Sequence, residues 1–163
     1  MNQGAMQTYT GRLLPRLVEP EHVCIEDIAH ALAHTSANPH YRDYYSLAER
    51  SILASQFVAP EHARVAFLAE ASRAYDIDGK RRTSPAWAVL DQFRLSEELT
   101  VWRDVRGVLA RVLVDEALAL SAAVPPWLAD VEPLGAEILC YSPAYAEVMF
   151  MMRYYTLYPE RLP

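Results

Sequence analysis

Between Ser96 and Ser121 apolar residues recur with the helical period, and this constrains the fold more than any other feature of the chain. Leu99, Trp102, Val105, Val108, Leu109, Val112, Leu113 and Leu120 form one continuous core face, which predicts a long helix over 96–121. Ser96 is its expected N-cap, Glu98 and Asp104 are followed by Arg at later positions, and Pro125 and Pro126 close it. A buried helix face of that length needs other helices to cover it. The same period predicts helices over 25–34, 43–58, from Pro60 to about Tyr75, over 86–94, and from Ser142 or Pro143 to about Tyr155. In the third of these, Val65, Leu68, Ala69, Ser72 and Tyr75 make the stripe. In the last, Ala146, Met149, Phe150 and Arg153 share one side. Residues 1–23 read as an irregular arm interrupted by Gly11, Pro15 and Pro20, with 8–12 as a short strand or turn. Residues 76–86 read as a polar loop, and 134–140 as a short strand.

The chain has 163 residues, 52% of them apolar, enough for one domain with a real core and too few for two ordinary ones. Its 11 Pro against 5 Gly suit helices with sharply marked ends. The expected architecture is all-α: a single domain over 1–163, about six helices with irregular connections. A net charge of −6 argues against duplex nucleic acid as a partner, because phosphate neutralisation needs a basic surface. The one basic run is Lys80, Arg81 and Arg82. No apolar run approaches a bilayer span, and the start of the chain lacks signal-peptide character, so no membrane is expected and the cytoplasm is the expected location. Cys24 and Cys140, far apart in apolar surroundings, read as free buried thiols.

None of the common phosphate-loop, dinucleotide, nucleophile-elbow, zincin or EF-hand motifs is present. Among the five His, His30 and His34 stand four apart on one predicted helix and can share a metal; the ordinary alternative is one buried, hydrogen-bonded His beside an exposed one. Asp76 and Asp78 adjoin the basic run, where acid and base together can bind an anion or simply be solvated. The last predicted helix carries more apolar surface than one face requires, which leaves a homo-oligomer interface and burial within the monomer both open.

Several stretches taken in order resemble the HD-domain metal-dependent phosphohydrolases, in particular their small bacterial and phage branch. These are TYTGR at 8–12, CIEDIAHALA at 24–33, YYSLAERS at 44–51, FLAEASRAY at 67–75 and PPWLADVEPLGAEILCYSPAYAEVMFMMRYY at 125–155. In that branch the first four read approximately TYTGR, IEDIAHALS, YSVAQHS and LLHDASEAYxGD, with RFxGH between the second and third. The resemblance implies a helical HD-type fold and a divalent ion that activates water for attack on nucleotide phosphate.

It also implies which positions carry that chemistry, and most are altered. Arg50 stands for the first metal-binding His, Ala69 and Glu70 for the His-Asp pair, Arg73 for the following Glu, and Ser36 for the Arg of RFxGH. His40 keeps the final His of that stretch, Asp78 matches the loop Asp, and Asp115 is the best match for the distant Asp ligand. The candidate catalytic residues are therefore Glu70, Asp78 and Asp115, and the candidate anion contacts are Arg50, Arg73, Lys80 and His40. Arg50 has no lone pair for a metal, so a metal-free cluster of Arg50, Glu70 and Asp115 is expected where the ion would sit. The implied function is a catalytically degenerate protein that binds a nucleotide-like anion or a protein partner, without a cofactor. The alternatives are an active nucleotide phosphohydrolase using Mn, Co or Mg through an unusual set such as His30, His34, His40 and Asp115, and an interaction protein whose pocket the cluster closes.

Overall fold

The structure, a computed structural model, describes residues 6–15, 17–76 and 85–163. Six α-helices carry the described fold: α1 (Ile25–Ala33), α2 (Leu47–Phe57), α3 (Ala63–Leu68), α4 (Pro85–Gln92), α5 (Leu99–Ala119) and α6 (Pro143–Leu157). Short 3-10 turns at Pro20–His22, Pro60–His62, Ala71–Tyr75, Pro126–Leu128 and Pro159–Arg161 link or extend them. Four of these five begin with Pro, whose fixed φ suits a first helical position where no amide donor is needed. The all-α expectation holds.

The helix α2 is the axis of the bundle, packed against α1, α3, α5 and α6. α2 is enclosed on nearly every side, with Leu47, Ala48, Ile52 and Ala54 buried together with Glu49, Arg50, Ser51 and Ser55. Four buried polar side chains on one central helix need partners, and those partners define the site described below. Ser51 and Ser55 return their hydroxyls to the carbonyls of Leu47 and Ile52. Arg153 of α6 then donates to the Ser55 hydroxyl at 2.8 Å and to its carbonyl at 3.0 Å. Phe67 of α3 and Phe150 of α6 stack in the core at 4.3 Å between ring centres.

Residues 6–15, expected to be part of an irregular arm, hold a short hairpin. Met6–Gln7 (β1) pairs antiparallel with Leu13–Leu14 (β2), and the TYTGR stretch is the turn between them, with Gly11 at φ +81°. Asp27 of α1 fixes that turn: its carboxylate accepts from the Thr10 amide at 2.8 Å and from the Thr10 hydroxyl at 3.3 Å. Cys24 and Cys140 are unpaired as expected but only half-buried.

Several boundaries differ from the sequence reading. The helix α2 begins at Leu47 rather than 43, because the Ser46 hydroxyl accepts the Glu49 amide as an N-cap. The helix expected from Pro60 breaks after Leu68 and continues as a 3-10 turn. Ser96 does not cap α5: its hydroxyl accepts from the Glu98 amide two residues on, while Glu98 holds the cap position. Leu99, expected in the core, is therefore in the first turn and 68% exposed. The expected strand at 134–140 is absent, since two carboxylates take its amides, and Gly135 and Cys140 both adopt positive φ.

Candidate functional site

Position 50 lies in the enclosed part of α2, and its buried guanidinium needs a partner. It finds Glu116 of α5, which is fully buried: Arg50 donates from Nε at 2.9 Å and from Nη2 at 2.7 Å in a bidentate pair. Nη1 lies 3.5 Å from Glu70 Oε1, and the other Glu70 oxygen takes Arg73 Nε at 3.1 Å. The Tyr41 hydroxyl donates at 3.0 Å to the same Glu116 oxygen that takes Arg50 Nη2. The cluster thus alternates in sign, with Arg73, Glu70, Arg50 and Glu116 in turn. Burial alone would loosen the Arg50 proton, but the Glu116 carboxylate reverses this and holds Arg50 above the ordinary guanidinium value. Burial first, and the Glu116 charge second, push the Tyr41 phenol up to about 12.

The expected cluster had Asp115 as its second carboxylate, and that is corrected by one residue. Asp115 is also buried, but it accepts the amides of Leu134 at 3.0 Å and Gly135 at 2.9 Å, so it clamps the loop after α5. Successive residues on a helix point about 100° apart, so Glu116 can meet Arg50 while Asp115 meets the loop. Arg50 and Glu70, twenty positions apart in the chain, do meet as expected. Arg73 reaches Glu70 from an exposed position with its side chain 56% accessible. His40 is exposed, and its side chain forms none of the cluster's hydrogen bonds or ion pairs. Asp78 and Lys80 lie outside the described residues.

A divalent ion does not fit this arrangement. Arg50 offers no lone pair, and its guanidinium is bonded to the carboxylates an ion would need.

Two further buried groups escaped the sequence reading. Glu49, beside Arg50, points the other way and accepts the amides of Leu139, Cys140 and Tyr141 at 2.7, 3.1 and 3.0 Å. Three consecutive amides converging on one carboxylate form a nest, and the left-handed Cys140 (φ +54°) makes that convergence possible. Burial pushes the Glu49 carboxyl up, and the three amides oppose that shift without cancelling it. The Tyr45 hydroxyl, fully buried close to Glu116 and Arg50, is the one buried side-chain polar atom among the described residues without a hydrogen-bond partner. The only sequence signal for either was an ionic or phenolic residue inside a buried helical stretch.

Next to Arg50 a cleft of about 250 Å³ opens between residues 37–41, the end of α5 and residues 122–128. Its walls are mostly apolar, with Leu113, Pro125 and Leu128, and Trp127 stands at the rim 69% exposed. Asn38, Tyr41 and Arg50 supply the polar part.

A second group lies elsewhere. His30 Nδ1 sits 3.2 Å from Glu147 of α6, His34 Nδ1 sits 2.9 Å from the His30 carbonyl, and the two imidazoles stack at 4.1 Å. Tyr9 of the N-terminal turn stacks on His30 at 3.7 Å. The expected metal set of His30, His34, His40 and Asp115 is not what comes together: Glu147 joins the first two, while Asp115 is committed to its loop. No described helix is long and apolar enough to cross a membrane. In comparisons with models of known protein families and with curated proteins, the chain matches none.

Proposed function

We propose that the chain is a non-catalytic binding protein of HD-type descent, in which an ion-pair cluster replaces the metal site and the neighbouring cleft receives a neutral group of a protein partner. The single observation that carries this reading is the buried Arg50 guanidinium, closed on Glu116 and Glu70. A phosphate entering there would compete with two carboxylates already bonded to the Arg50 guanidinium. The descent is supported by the meeting of Arg50 and Glu70, the positions that the resemblance equates with a His and an Asp ligand. It is also supported by the way the TYTGR turn docks on Asp27 of the IEDIAHALA helix.

The cleft supports a side chain over a nucleotide. Its 250 Å³ lies below the about 300 Å³ at which small-molecule sites usually begin. Its apolar walls and exposed Trp127 suit an aromatic or aliphatic anchor, the type of residue that dominates protein interfaces. A second reading, in which a nucleotide-like anion binds, draws on the exposed guanidinium of Arg73.

Paired ligands separate the two. Thermal shift and amide NMR are run with deoxynucleosides, the matching deoxynucleotides and inorganic phosphate. The proposal expects no gain from the phosphate group. Tighter binding of nucleotide than nucleoside, lost in Arg73→Ala, would establish the anion reading instead. Phosphate release from deoxynucleotides with Mn, Co or Mg, abolished by Glu70→Ala, would overturn the non-catalytic reading.

A further inference from the structure

We infer that His30, His34 and Glu147 form a binding site for a divalent transition-metal ion of the zinc type, bridging α1 and α6. This site shares no residue with the Arg50 cluster and does not depend on the function proposed above. Among the described residues these three are the one group of such side chains whose donor atoms all lie within 4.8 Å of one another. Ligands of a tetrahedral ion with bonds of about 2.1 Å sit about 3.4 Å apart, so the exposed His34 ring turns off its stack on His30 to bring its in-plane lone pair onto the ion. The ligand chemistry, two imidazoles and one carboxylate, favours zinc, nickel or copper over magnesium or calcium.

The hydrogen bonds already set the imidazoles for this role. The His30 carbonyl can only accept, so His34 Nδ1 carries the proton and leaves the Nε2 lone pair available. His30 Nδ1 donates to the Glu147 carboxylate across 3.2 Å, and an ion would take the place of that hydrogen between nitrogen and oxygen. His30 lies in the last turn of α1 and His34 is its C-cap, and Glu147 comes from α6, which packs directly on α1. The stacked ring of Tyr9 covers one face of His30 and limits how far it can swing. His34 is exposed and Glu147 half-buried, so an ion can enter from solvent and one coordination position stays open to water.

The test is titration of the full chain, stripped with chelator, with zinc alone, read by calorimetry, and with cobalt(II), read by its visible ligand-field bands. Wild type is expected to bind one ion through this site. His34→Ala removes an exposed side chain and leaves the fold intact, and it is expected to weaken zinc by at least about tenfold and to lose the cobalt bands. Glu147→Gln is expected to weaken zinc while His40→Ala leaves it unchanged. Failure of the wild type to bind zinc, or equal binding by wild type and His34→Ala, overturns the site.

Discussion

Replacing Arg50 tests the ion-pair cluster most directly. Arg50→Met keeps the volume of the aliphatic stem and removes the charge. Glu116, with no exposure to solvent, then loses both charge-assisted bonds and keeps only the Tyr41 hydroxyl as a donor. Glu70 is less affected, because Arg73 still pairs with it. Stranding one partner of a buried pair costs about 3–5 kcal/mol. That is a large part of the about 5–15 kcal/mol that stabilises an ordinary domain. At about 2–4 °C per kcal/mol for a chain of this size, the melting temperature is expected to fall by about 6–20 °C. Urea unfolding measures the loss, with an unchanged slope showing that the unfolded state is the same. The decisive variant is the double one. Arg50→Met with Glu116→Leu removes both charges and should recover most of the loss, because a well-packed apolar pair can match a buried ion pair. A single variant within about 1 kcal/mol of wild type, or a double variant that loses the sum of the two single losses, would refute the cluster as a coupled unit.

Three other outcomes follow from the buried polar groups. Tyr45→Phe deletes a hydroxyl that has no partner and should leave stability unchanged or raise it by about 1 kcal/mol; a loss above that in thermal unfolding would mean the hydroxyl is bonded. Asp115→Ala frees the amides of Leu134 and Gly135 and should cost about 1–3 kcal/mol in urea unfolding, with faster hydrogen exchange confined to that loop. Glu49→Gln can keep an acceptor oxygen for Leu139 and Cys140 but sets an amide donor against Tyr141, and should speed exchange most at Tyr141. Because burial raises the folded carboxyl above its unfolded value, the ionised form is the disfavoured one. The advantage of wild type over Glu49→Gln is therefore largest below the unfolded value and shrinks as pH rises through the folded one, as urea unfolding across pH will show.

The helices were legible because apolar spacing, Pro and capping Ser act locally; Ser142 and Pro143 open α6 as read. Where a distant group intervenes, local reading failed. Residues 134–140 have strand-like composition, yet Asp115 and Glu49 claim their amides from two different helices. The choice between Asp115 and Glu116 as the partner of Arg50 depends on how α5 is rotated in the bundle, and two adjacent carboxylates carry no local sign of that rotation. Glu49 carried no local sign of its role, because nothing near it in sequence reveals that α2 is enclosed. The pairing of Arg50 with Glu70 was readable only because the resemblance placed both positions in one pocket. The meeting of Glu147 with His30 and His34 needed the packing of α6 on α1, which spacing within one helix cannot supply.

The neighbouring residues Glu49 and Arg50 turn in opposite directions from the same turn of α2, one to the approach of α6 and the other to α5. This has an evolutionary consequence. Any single substitution at position 50 that removes the guanidinium strands Glu116 in the core, so it crosses a deep loss of stability unless position 116 changes with it. Arg50 and Glu116 are therefore expected to change together or not at all, while surface positions drift singly.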